Sequence, residues 1–159
     1  MPILQGHPEC IEQTTLYPIS RDKLKSKSKP QNRRMSNKMS PEEVLNSIVK
    51  GINTGDLDSL MTLYEDDACF ASQPGQLAKS PESVRQSLRS FIELKGKLDL
   101  KVKRVLQASD LALVTSEWSF KGTGPDGNPV NMAAKAADVL RCQSDGTWRF
   151  VIDNPWGTD

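Results

Sequence analysis

The chain has 159 residues, 21 Lys+Arg against 20 Asp+Glu and a net charge of +1, enough for one domain with a sizeable core and too balanced for a global field that draws nucleic acid or membranes. No apolar run reaches membrane-spanning length, and the N-terminus lacks the basic start and apolar core of a secretory signal. The only histidine is His7, near the N-terminus, which excludes a His triad, a His general base or a His-rich metal site in the rest of the chain.

Charge is unevenly spread. Residues 1–39 carry eight Lys/Arg against three Asp/Glu and are poor in apolar side chains from residue 19 on, so they read as a basic, disordered leader. The segment "KLKSKSKPQNRR" (23–34) is a candidate nucleic-acid or targeting patch, but a solvated leader is the commoner fate of such a run, and a nucleic-acid partner is not expected. Met35 and Met39 lie just before the first helix signal, which leaves an upstream mis-assigned start open. Cys10, Cys69 and Cys142 are widely spaced, form no CxxC pattern and suit reduced thiols in the cytoplasm.

From residue 40 the pattern is helical. Ser40, Pro41 and Glu43 make an N-cap, first-turn proline and capping-box acid, and Val44, Leu45, Ile48, Val49 and Ile52 follow at helical spacing until Gly55. Asp56 caps a second helix, "LDSLMTLYE" (57–65), and a short strand "ACFAS" (68–72) leads into the turn "QPGQ". Ser80-Pro81 opens a third helix with Val84, Leu88, Phe91 and Ile92 on one side. Beyond residue 97 the period becomes two. "KLDLKVKRVLQA", "LALVTSEWSFKG", "VNMAAKAADVLRC" and "TWRFVID" read as four strands of an antiparallel meander, separated by turns such as "GPDGNP" and "QSDG". Three helices on one face of a curved antiparallel sheet make an α+β domain over residues 40–157.

One strand poses a chemical problem. The inward face of 130–142 collects Val130, Met132, Ala134, Ala136, Asp138, Leu140 and Cys142, so a carboxyl sits among apolar neighbours. It must find a partner, stay neutral, or avoid burial.

"GINTGDLDSLMTLYEDDACF" (51–70) resembles the helix–turn–helix–strand opening of the nuclear transport factor 2-like superfamily, and "DVLRCQSDGTWRFVIDNPWG" (138–157) resembles its final hairpin. The likeness is nearest to the SnoaL-like branch, beside ketosteroid isomerase. It implies a cone-shaped, cystatin-like roll around an internal pocket, a homodimer built through the sheet, and a small apolar ligand. The fold hosts isomerases, dehydratases, hydrolases, cyclases and non-enzymes, so it does not decide the reaction. By this resemblance Asp138 occupies the place of the isomerase's neutral, hydrogen-bond-donating aspartic acid, a case the general theory of carboxyl tuning already uses. The isomerase's tyrosine position falls on Ile48. Its general-base position falls on Ser72, or on Ala71 or Gln73 with a one-residue slip, so steroid isomerisation by that mechanism is not expected.

The same comparison turns Arg149, Val151 and Asp153 into the pocket and Trp148, Phe150 and Ile152 away from it. Asp138 and Asp153 with Arg149 between them then resemble the acid–base set of the fold's epoxide hydrolases. A structural ion pair of Asp138 with Arg149 or Arg141 is the duller alternative. Tyr64, Ser72, Trp118, Val151 and Trp156 are the candidate ligand contacts, although the tyrosine and tryptophans serve equally as packing. The facing of Trp118, and of Ser116 with it, stays open. Asp66-Asp67 is a poor calcium site and Cys69 a modest nucleophile, so neither metal nor cofactor is expected. Two function classes remain: a cofactor-independent acid–base enzyme of isomerase, cyclase or epoxide-hydrolase type acting on an apolar, ring-containing substrate, or a non-catalytic ligand-binding or dimeric scaffold module.

Overall fold

The computed structural model describes residues 39–157; the basic leader read from the sequence lies outside them, apart from Met39. The helix starts form where the caps place them. Ser40 and Glu43 complete a reciprocal capping box at the head of α1 (Pro41–Thr54), with Glu43 Oε2 accepting from the Ser40 N–H at 2.6 Å. Gly55, at φ 71°, ends the helix in the left-handed conformation that glycine adopts without strain. Asp56 caps the short α2 (Leu57–Met61) through the Ser59 N–H at 3.0 Å, and Ser80 with Ser83 caps α3 (Pro81–Glu93).

Six strands follow or interleave: β1 (Tyr64–Gln73), β2 (Gln76–Ala78), β3 (Lys97–Ala108), β4 (Leu111–Thr123), β5 (Pro129–Cys142) and β6 (Trp148–Asp153). They form one sheet in the order β2-β1-β6-β5-β4-β3. The meander from β3 to β6 is antiparallel as the alternation predicts, but β1 runs parallel to β6, so the sheet is mixed. Two further differences share one cause. Residues 62–65 do not continue the second helix, and β1 starts at Tyr64 rather than 68, because the Phe150 N–H donates to the Leu63 carbonyl at 2.8 Å and draws this segment into the sheet. Tertiary pairing here overrides a helical spacing of Leu57, Leu60, Met61 and Tyr64.

The helices pack on the inner face of the sheet. Val44 and Leu45 of α1, Leu60 of α2 and Val84 of α3 are fully buried with Phe120, Leu140 and Phe150. Asn53 pins α1 to the edge strand: its Nδ2 donates to the Leu98 carbonyl at 2.9 Å and its Oδ1 accepts from the Leu98 N–H at 2.7 Å. Along β4 the even-numbered residues Ala112, Val114, Ser116, Trp118 and Phe120 all point inward, which settles the facing of Trp118 and Ser116. No helix among the described residues is long and apolar enough to cross a membrane.

Candidate functional site

Between the helices and the sheet lies a cavity of about 90 Å³, walled mainly by aliphatic and aromatic side chains. Strand alternation delivers its polar groups. On β5 the inward face runs as read from the sequence, and Asp138, 3 % exposed, stands opposite Val114 of β4. On β1 the even positions Tyr64, Ala68, Phe70 and Ser72 turn inward.

β6 differs from the expectation. Val139 pairs with Ile152 while the next residue, Leu140, pairs with Phe150, so Val151 is an extra residue in the strand. This bulge breaks the two-residue period. Phe150 and Asp153, three apart, therefore both line the cavity, while Ile152 is exposed. Arg149 and Val151, expected to line it, do not; Arg149 pairs across the ladder with Arg141. Arg141 itself lies 3.6 Å from Glu65. The arrangement of an arginine between two aspartates, and the ion pair of Asp138 with Arg149 or Arg141, are thus both replaced by a different one.

That arrangement is a chain of three acids. The Tyr64 hydroxyl donates to Asp153 Oδ2 at 2.5 Å. The Asp138 carboxyl hydrogen-bonds to that of Asp153, and Asp138 Oδ1 accepts from the Asn154 backbone N–H at 2.9 Å. A bond between two carboxyls needs a proton on one of them. Burial, and then the neighbouring Asp153, push the Asp138 carboxyl well above its ordinary range, so Asp138 is the one of the two that holds the shared proton. Burial raises Asp153 less, to about 6, because the hydrogen bonds from Tyr64 and Asp138 favour its ionised form. Burial, followed by the nearby Asp153 charge, lifts the Tyr64 phenol well above 10. Once Asp153 ionises, the site holds one carboxylate with two groups that can donate to it, Tyr64 and Asp138.

The turn after β6 closes the cavity. Pro155 and Trp156 line it, the Trp118 indole N–H donates to the Pro155 carbonyl at 2.7 Å, and the Trp118 and Trp156 rings meet edge to face at 5.4 Å. Gly157 holds the turn: its φ is +63°, its carbonyl accepts from Asn154 Nδ2, and a Cβ there would fall 2.3 Å from the Lys135 carbonyl oxygen. Gly157→Ala is expected to cost on the order of 2 kcal/mol, from left-handed strain plus the clash, in urea unfolding. An unchanged midpoint would show that the turn carries no such constraint.

Of the residues singled out in the sequence, Asp138, Asp153, Tyr64, Ser72, Trp118 and Trp156 meet in this cavity, as does Ile48 from α1. Ser116, whose facing the sequence left open, turns inward with Trp118: it is 1 % exposed, and its Oγ has no partner among the described residues.

The SnoaL-like domain family matches residues 46–151. The chain belongs to this family. Three crystal structures share its fold. A ketosteroid isomerase-like protein from Erwinia carotovora atroseptica superposes with a TM-score of 0.62 at 22% identity, covering 70% of this chain and 88% of its own. A protein from Thiobacillus denitrificans described as a calcium/calmodulin-dependent protein kinase type II association domain gives 0.63 at 17%, covering 77% and 98%. A protein of the NTF2-like family from Streptomyces avermitilis, described as a dehydratase, gives 0.62 at 18%, covering 71% and 90%. At such identities the likeness carries the fold and nothing of the reaction. No curated protein matches the sequence.

Proposed function

We propose that this SnoaL-like domain binds a small, largely apolar molecule in its cavity and performs cofactor-independent acid–base chemistry on it. The observation that carries the reading is the chain Tyr64–Asp153–Asp138 inside that cavity: one carboxylate near its protonation midpoint at about 6, touching a carboxyl that stays protonated. In an isomerisation or cyclisation, Asp153 takes a proton from carbon and returns it elsewhere. In an epoxide hydrolysis, Asp153 takes a proton from water as the water oxygen bonds to carbon, and Asp138 protonates the departing oxygen. Proton transfer from Asp153 to Asp138 through their shared hydrogen bond then resets the pair. Volume limits the substrate. At about 90 Å³ the cavity is smaller than a benzene-sized void of about 150 Å³, which favours a molecule of one small ring or less over a steroid.

An NMR titration of the aspartate carboxyl carbons, assigned with Asp138→Asn and Asp153→Asn, tests the reading. Asp153 is expected to titrate near 6 and Asp138 higher. Both titrating at or below about 3.9 would leave no proton donor and favour a binding or scaffold module.

The same reading includes a homodimer formed through the outer sheet face. Leu106, Leu113, Val139, Ile152 and Cys69 are successive cross-strand partners, a row that crosses β3, β4, β5, β6 and β1. Leu106, Leu113 and Ile152 are 52%, 40% and 43% exposed, and such a contiguous apolar row suits an isologous contact with a second copy. One structural neighbour being described as an association domain accords with assembly. Light scattering is expected to give a dimer for the wild type and a monomer for Leu113→Lys; a wild-type monomer would remove this part of the reading. The free thiols of Cys69 and Cys142 fit a reducing cytoplasm.

A further inference from the structure

The acid pair is surrounded by rings rather than by countercharge. Tyr64 and Phe150 stack at 5.1 Å on one side of the cavity, with Phe70 beside Tyr64. Phe91, Trp118 and Trp156 form a second aromatic group on the same cavity. Among the described residues no Lys, Arg or His lines it. The elements α1, α3, β3 and β4 contribute no ionisable side chain to the lining; the groups facing Asp153 are Tyr64 from β1 and Asp138 from β5.

Ring faces carry negative potential, so they do not offset a carboxylate but add to its pull on a positive charge. A structural carboxylate in an apolar site ordinarily brings its own cation. Here the two hydrogen bonds to Asp153 soften its burial without neutralising it. Two buried polar atoms have no hydrogen-bond partner among the described residues: the Ser116 hydroxyl, whose residue is not part of the cavity lining, and the Trp156 indole N–H, whose residue is.

We propose that the cavity recognises a small organic cation, a protonated amine of a few heavy atoms, whose ammonium lies against the Asp153 carboxylate while its alkyl part fills the space between the aromatic groups. The inference rests on the reading that this cavity is the ligand site and narrows its ligand class. A carboxylate supplies the charge, ring faces supply the cation–π wall, and the size fits an alkylammonium better than a polycycle. Because Asp153 must be ionised, binding is half-lost near pH 6, full well above it and weaker below it, while the more strongly raised Asp138 continues to donate to Asp153.

The test uses two probes of equal heavy-atom shape, isopropylammonium and isopropanol, titrated into the full chain while NMR follows the indole N–H signals of Trp118 and Trp156. The cation is expected to bind at least about tenfold more tightly than the alcohol at pH 8, and to lose about tenfold in affinity on lowering the pH to 5. Asp153→Asn keeps the side-chain shape and removes the charge, so it is expected to abolish the preference while retaining isopropanol binding. If the alcohol binds as well as or better than the cation, the cation assignment falls and the cavity stands as a neutral-ligand site. If neither probe moves the indole signals, the ligand-site reading itself falls. The wild-type comparison decides both points even if the variant does not fold.

Discussion

Between pH 4 and pH 7 the protein is expected to lose about 2 kcal/mol of stability through Asp153 alone, most of it above about pH 4.5. The sign follows from the direction of the shift. Asp153 has a folded-state value of about 6 against an ordinary 3.8, so the folded chain holds this proton more tightly than the unfolded chain. Below 3.8 both states are protonated and burial of the neutral acid carries no charge penalty. As pH rises through that value the unfolded chain ionises first, and by the time the folded group ionises near 6 the cost is complete. Asp138, raised well above its ordinary value, acts in the same direction and extends the decline to higher pH. Asp56, Glu117 and Asp126 are lowered and act oppositely at more acidic pH, each through local hydrogen bonds or a nearby lysine. Urea unfolding of the wild type and of Asp153→Asn from pH 4.5 to 8 isolates the effect. The wild type should fall relative to the variant as pH rises; parallel curves would mean that Asp153 is a hydrated, ordinary carboxylate.

This decline has a functional reading. A carboxylate buried without a cation destabilises the empty protein, and whatever ligand relieves that cost gains affinity by the same amount. Tyr64 and Asp138 limit the penalty by donating to Asp153, which is why its value stops at about 6 while that of Asp138 goes further. The proposed acid–base chemistry and the proposed ligand selection both draw on one feature, the separation of two neighbouring carboxyls into a donor and an acceptor.

How much of this was legible in the sequence varied by element, for physical reasons. Helix starts were readable because caps act locally: Ser40 and Glu43, or Ser80 and Pro81, carry their own hydrogen-bonding logic. The inward face of β5 was readable because its alternation runs unbroken from Val130 to Cys142. The facing of β4 was not, since Leu111 and Leu113 on one side compete with Ala112 and Val114 on the other. The exposed leucines belong to the outer face of the sheet, and their hydrophobicity blurred the signal for the core. Tyr64 was read as helical because its partner, Phe150, lies far along the chain, and a parallel pairing leaves no mark in local spacing.

The bulge at Val151 is the least legible feature and has the largest consequence. Phe150→Ala is expected to cost about 3–5 kcal/mol, because Phe150 is 2 % exposed, stacks on Tyr64 at 5.1 Å and lines the cavity. Arg149→Ala, one residue earlier, is expected to change stability by less than about 0.5 kcal/mol, since its side chain meets neither carboxyl of the site. A regular strand with Arg149, Val151 and Asp153 inward demands the reverse: a modest loss at an outward Phe150 and a large one at an arginine buried between two acids. Denaturant midpoints of the two variants therefore decide whether Val151 breaks the period. They also locate Asp153, because only the bulged strand puts Phe150 and Asp153 on one face. If Arg149→Ala proves the more damaging, the acid chain gives way to an arginine-bridged pair, and Asp153 becomes an ordinary ionised carboxylate with no proton to exchange near neutral pH.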